Sequence, residues 1–116
     1  MKELVLIIRP ENLEPLKAIL DEHHCGGMTV TTAMGCGTQK GAKGDEVAEI
    51  RGFKVNINLL PKIQASVVLP DDKVEDVITA VRERMADGHV GDGKIFIKEV
   101  FDAVRIRTGE RGDEAL

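Results

Sequence analysis

The 116-residue chain is one domain in length, and its 16 Lys and Arg against 20 Asp and Glu leave a net charge of −4. With three Phe and neither Trp nor Tyr, it has no basic surplus to follow a phosphate backbone and few rings for bases to stack on, which argues against a nucleic-acid binder. A 42% hydrophobic and 31% charged composition excludes a disordered or membrane-spanning chain, and twelve glycines exceed the ordinary share.

Leu4 to Ile8 is a continuous apolar run stopped by Arg9-Pro10, which reads as a buried strand. It is too short for a signal-peptide core or a membrane helix. With only Cys25 and Cys36 and no export signal, free thiols in a reducing, cytoplasmic setting are expected. Asn12 can cap a helix that has Pro15 in its first turn and Leu13, Leu16, Ile19 and Leu20 on one face. Gly26-Gly27, after His23-His24-Cys25, would supply a left-handed stop. Residues 28–34 alternate β-branched and polar, the pattern of a second strand.

From Gly35 to about Lys54 neither periodicity holds, and so long a connection in a small domain is usually functional. Strand character returns at 55–59 and 63–69. Pro70-Asp71-Asp72 begins a second helix, with Asp72 and Glu75 spaced as a capping box and Val74, Val77, Ile78, Val81 and Met85 as its apolar stripe. A glycine-rich loop at 88–93 precedes short strands at 94–97 and 103–107, and 108–116 reads as a polar tail.

This order predicts an α+β, ferredoxin-like βαββαβ fold: one domain over 1–116, one antiparallel sheet with both helices on one face, and a long effector loop at about 37–55. The strands at 4–8 and 67–69 are apolar on both faces, yet two helices cover only one. Further copies of the chain would cover the other.

Gly88 to Lys94 matches the front of a P-loop, but Ile95 stands where a metal-binding Ser or Thr is needed, and a strand follows in place of a helix. A P-loop NTPase is excluded. What remains is either a tight turn or a loop whose backbone N–H groups curl around an anion beside Lys94. Arg105 and Arg107, two apart on a predicted strand, would point the same way and suit a phosphate or carboxylate, or simply face solvent. Lys62 follows the apolar Leu59-Leu60-Pro61. His23, His24 and Cys25 have no second ligand cluster to complete a metal site. Ser66, the only serine, lies mid-strand, and Cys36 has no evident base, so no catalytic residue is identified.

Several stretches stand in one order across nearly the whole chain: Gly27-Met28-Thr29-Val30, Gly35 and Gly37 with Gln39-Lys40-Gly41, Leu60-Pro61-Lys62, Val68 with Pro70-Asp71-Asp72, Gly91-Asp92-Gly93-Lys94-Ile95-Phe96, and Arg105-Ile106-Arg107-Thr108-Gly109-Glu110. Together they resemble the PII nitrogen-regulatory signal-transduction family. The resemblance implies a homotrimeric sensor of nitrogen, carbon and energy status, binding ATP or ADP between subunits and 2-oxoglutarate beside ATP and magnesium. Its long loop would regulate a protein target, such as an ammonium transporter or a nitrogen-metabolism enzyme. The resemblance implies nucleotide contacts at Thr29, Gly37, Thr38, Gln39, Val68, Gly91, Asp92, Gly93 and Lys94, with Arg105 and Arg107 reaching the phosphates from a neighbouring subunit. Gln39 would help hold magnesium; Gln39, Lys40, Gly41 and Lys62 would meet 2-oxoglutarate. Arg51 lies where the family carries an arginine that can plug a transporter pore. Thr38 stands where the family often has a basic residue, which removes a charge beside the terminal phosphate. With no tyrosine in the chain, tyrosine modification is excluded. The competing class is a small metabolite-converting enzyme on the same superfold. Neither nucleic acid nor direct membrane insertion is expected.

Overall fold

The computed structural model describes residues 1–36, 47–50, 53–56 and 59–116. Strand β1 (Lys2–Ile8) leads through a 3-10 turn at Pro10–Asn12 into helix α1 (Leu13–Glu22) and strand β2 (Met28–Gly35). Strands β3 (Val47–Ile50) and β4 (Phe53–Asn56) follow, then β5 (Leu60–Leu69), helix α2 (Asp71–Met85) and strand β6 (Lys94–Glu99). One antiparallel sheet has the order β2-β5-β1-β6, and β3 and β4 pair with each other as a separate antiparallel hairpin. The α+β ferredoxin-like architecture is the one the sequence predicts.

Strand alternation divides the sheet into two faces. Leu4, Leu6 and Ile8 of β1 and Ile63, Ala65, Val67 and Leu69 of β5 form one buried layer with Leu16, Ile19 and Leu20 of α1 and Val74, Val77 and Val81 of α2. Fully burying one such side chain stabilises by about 1.5–3 kcal/mol. The opposite face carries Val5, Ile7, Val68 and Phe96, with Phe96 49% exposed. Residues 4–8 and 67–69 are therefore apolar on both faces, while Glu3, Gln64 and Ser66 share the face that the helices leave uncovered.

Several predicted details change. Residues 103–107 are not a strand. Val104 makes only an isolated bridge to Arg111, and the chain reverses where the Gly109 N–H donates to the Arg105 carbonyl at 2.7 Å. The alternation of Val104 and Ile106 mimics a strand, but Ile106 is fully exposed and the sheet's edge on this side is β6. Residues 112–115 wind into a 3-10 helix. Strand character expected at 55–59 is found at Phe53–Asn56, inside the hairpin, and residues 57 and 58 lie outside the described residues. Strand β5 begins at Leu60, three residues before the predicted start, because only β2 pairs with it there; Pro61 needs no second partner.

Neither helix has a side-chain cap from Asn12 or Asp72. The carboxylate of Asp71, in the first turn of α2, instead meets the chain's amino group at 3.1 Å and Lys2 at 3.2 Å. Those bonds hold the Asp71 carboxyl below its ordinary range, which favours the charged form at a helix N-terminus. The left-handed residue after α1 is His24 (φ 54°), not Gly26 or Gly27.

Candidate functional site

Four strand ends meet at one end of the sheet. Ile7 of β1 pairs with Lys94 of β6, Ile8 with Ile63 of β5, and Met34 of β2 with Pro61. The glycine loop between α2 and β6 lies at this end. Its turns need left-handed backbone at Gly88 (φ 84°), Gly91 (φ 101°) and Gly93 (φ 103°). At Gly93 a Cβ would stand 1.9 Å from the Ile7 carbonyl oxygen, so only glycine lets the loop lie against β1.

The loop is tied internally. One oxygen of Asp92 accepts the N–H groups of Asp87 and Gly88 at 3.0 and 3.1 Å. The His89 N–H donates to Asp87 at 2.9 Å. The N–H groups of Gly91 and Gly93 find no acceptor among the described residues. Closely spaced donors of this kind can form a concavity that suits an anion.

Lysines flank this loop on two sides. The Lys62 ammonium reaches from β5 to the Gly91 carbonyl at 3.3 Å. Its stem runs past Gly35, where a Cβ would come within 3.2 Å of Lys62 Cγ, so Gly35 leaves room for the lysine. Lys94 opens β6, and its exposed side chain makes no hydrogen bond or ion pair among the described residues.

The structure thus gathers Lys62, Gly91, Asp92, Gly93 and Lys94 at one end of the sheet. Thr29 and Val68 lie apart from them. Thr29 pairs with Ser66 and Val68 with Glu3, several residues along the strands from Lys62. From Lys62 to Val68 the strand advances about 20 Å at ~3.3 Å per residue. Arg105 and Arg107 form a third group in the C-terminal turn. Arg105 bonds Glu110 at 3.0 Å and the Leu116 carbonyl at 3.1 Å. Arg107 is exposed and without a partner among the described residues. The two guanidinium groups therefore do not share a strand face, contrary to the expectation, because the turn at Gly109 replaces the strand. Gly37, Thr38, Gln39, Lys40, Gly41 and Arg51 lie outside the described residues.

Sequence reasoning treated Arg9 only as the end of a strand. In the fold its guanidinium bonds Asp87 at 3.0 Å, Asp92 at 3.2 Å and the Val90 carbonyl at 3.1 Å. The signal available was a cation directly after a buried strand and two aspartates bracketing a glycine loop. No group of three or more metal-ligating side chains occurs among the described residues, His23, His24 and Cys25 included. Burial raises the Cys25 thiol above its ordinary value, partly opposed by Lys73, so it is a poor nucleophile near neutral pH.

The family model described as "Nitrogen regulatory protein P-II" matches residues 1–110. Nitrogen regulatory protein P-II 2 of Methanothermobacter thermautotrophicus is 45% identical over 116 residues, covering 100% of this chain and 97% of that protein. Nitrogen regulatory protein P-II of Mesorhizobium japonicum is 43% identical, with both chains covered in full. Among solved structures, B. subtilis GlnK superposes with a TM-score of 0.78 at 30% identity, covering 99% of this chain and 97% of that one.

Proposed function

The chain belongs to the nitrogen regulatory P-II family, whose members are regulatory signal transducers and not enzymes, and from that premise we propose that it senses ATP or ADP together with 2-oxoglutarate. The working unit is a cytoplasmic homotrimer with nucleotide sites between its subunits. Loop 37–55 carries the signal to a protein target, an ammonium transporter or a nitrogen-metabolism enzyme, and Arg51 is the residue that engages it. No helix among the described residues is long and apolar enough to cross a membrane.

The observation that carries this reading is the separation of the expected nucleotide contacts into three groups on one chain. The glycine loop with Lys62 and Lys94 stands at the Ile7–Ile8 end of the sheet, Thr29 and Val68 lie several residues along β2 and β5 from Lys62, and Arg105 and Arg107 stand in the C-terminal turn. Copies of the chain meeting across the sheet face that carries Val5, Ile7, Val68 and Phe96 bring such groups together without any change of fold. Fully exposed Phe101 and Ile106 beside the arginines supply further apolar surface for that contact.

The chemistry of the donors fits a nucleotide diphosphate or triphosphate. The amides of Gly91 and Gly93 and the exposed Lys94 meet phosphate oxygens, and Arg107 adds a forked cation. Arg105 trades its bond to Glu110 for the phosphate, so its contribution is the smaller. Gln39, with Thr38 and Gly37 beside it, helps hold magnesium through a neutral oxygen, the kind of ligand that ion accepts. Lys40, Gly41 and Lys62 hold the two carboxylates of 2-oxoglutarate. Calorimetric titration with ADP, ATP and MgATP plus 2-oxoglutarate, alongside light scattering, tests the reading. It expects micromolar nucleotide binding to a trimer; a stable monomer without nucleotide affinity overturns it.

A further inference from the structure

Arg9 is held at the end of β1 by its neighbour: Pro10 disfavours helical backbone at the preceding residue, and Arg9 stays extended at φ −68°, ψ 146°. From there its side chain, 19% exposed, spans the glycine loop. It bonds the entry at Asp87, the apex at the Val90 carbonyl and the exit at Asp92. Asp92 in turn is fully engaged. One carboxylate oxygen takes Arg9 and the other takes the Asp87 and Gly88 amides, so the side chain turns into the loop.

Two carboxylates would otherwise face an anion site from behind. The Arg9 guanidinium lies on both of them, and its planar fork carries enough donors for three acceptors at once. An ammonium is a point charge and cannot span the same set with matched geometry.

We propose that Arg9 is the positioning residue of the nucleotide site, fixing the glycine loop through Asp92 and Val90 and cancelling the Asp87 and Asp92 charges without touching the ligand. The proposal rests on the nucleotide-binding reading, and its test separates the two. ADP affinity is measured by calorimetry for Arg9→Met, Arg9→Lys, Asp92→Asn and the double variant Arg9→Met/Asp92→Asn, all as full-length oligomers. Amide exchange of residues 87–93 is followed without nucleotide.

Arg9→Met is expected to weaken ADP binding by about tenfold and to speed exchange at Gly88 and Asp92. Arg9→Lys recovers part of that loss. In the double variant the two losses overlap and fall short of their product, because both act through one contact. Arg9→Met binding ADP within about twofold of the parent with unchanged exchange overturns the proposal. Losses that multiply also overturn it, since Arg9 would then act on the ligand directly. If the parent protein binds no ADP, the nucleotide reading fails, and exchange at Gly88 and Asp92 alone decides whether Arg9 fixes the loop.

Discussion

Replacing Gly93 by alanine sets a single methyl group against backbone that cannot give way. The added Cβ would stand 1.9 Å from the Ile7 carbonyl oxygen, 3.1 Å from the Ile7 carbonyl carbon and 3.4 Å from the Ile8 Cα. All three atoms belong to β1, which is paired on both sides with β5 and β6. To restore ordinary contact the loop must withdraw by more than an ångström, and Lys94 moves with it. Left-handed backbone at φ 103° adds its own strain. Strain of about 1–3 kcal/mol and overpacking of about 1–3 kcal/mol together give roughly 2–6 kcal/mol, a large share of a total stability near 5–15 kcal/mol. Gly88→Ala is the control, since Gly88 has a similar φ of 84° but nothing within 4 Å of its Cβ. It should lose only the strain part. Melting curves at one fixed protein concentration should place Gly93→Ala at least about 10 °C below the parent and well below Gly88→Ala. Equal melting temperatures for the two variants would show that the approach of the loop to β1 is not the constraint, and would refute the reasoning.

Lys94→Ala and Arg107→Ala should each weaken ADP binding by about tenfold to a hundredfold while leaving the melting temperature unchanged, as calorimetry and thermal scans would report. Thr38→Arg should raise the preference for ATP over ADP by restoring a charge beside the terminal phosphate. Phe96→Glu, on the sheet face that the helices leave uncovered, should convert the oligomer to monomer by light scattering and abolish nucleotide binding. Asp102 lies below its ordinary value of 3.8 because of Arg111 first, then the Ala103 and Gly112 N–H groups. A depressed carboxylate stabilises the fold above its unfolded value and loses that contribution as pH falls through the lower folded one. The Ala103 and Gly112 amides should therefore lose exchange protection below about pH 3.8, and Arg111→Gln should shift that loss upward.

The two helices and β1 were legible because burial has a period. Leu16, Ile19 and Leu20, and Val74, Val77 and Val81, recur at helical spacing, and all are buried. The glycine loop was legible as a loop because Gly88, Gly91 and Gly93 sit where only left-handed turns explain so many glycines. The C-terminal arginines were misread because alternation cannot tell a strand from a turn without knowing whether a neighbour exists to pair with. Arg105 and Arg107 obey the pattern, yet Thr108-Gly109 turn the chain back on itself. Asp72 and Glu75 match a capping box in spacing, but the helix start is governed by Asp71 and its long-range partners Met1 and Lys2. Arg9 was missed for the same reason. Its partners lie almost 80 positions away, at Asp87 and beyond, a separation no local pattern encodes.

Mixing two defective proteins tests most directly whether the nucleotide site is built between chains. Lys94→Ala removes the loop's cation, and the double variant Arg105→Ala/Arg107→Ala removes the arginine turn. Each variant alone should bind ADP poorly. When the two are unfolded together in equal amounts and refolded, random assembly puts an intact loop beside an intact arginine turn at about one quarter of the sites. Calorimetry on the mixture should then recover parental ADP affinity at about one quarter of the sites. No recovered affinity in trimers shown by light scattering and mass spectrometry to be mixed would contradict a site shared between subunits.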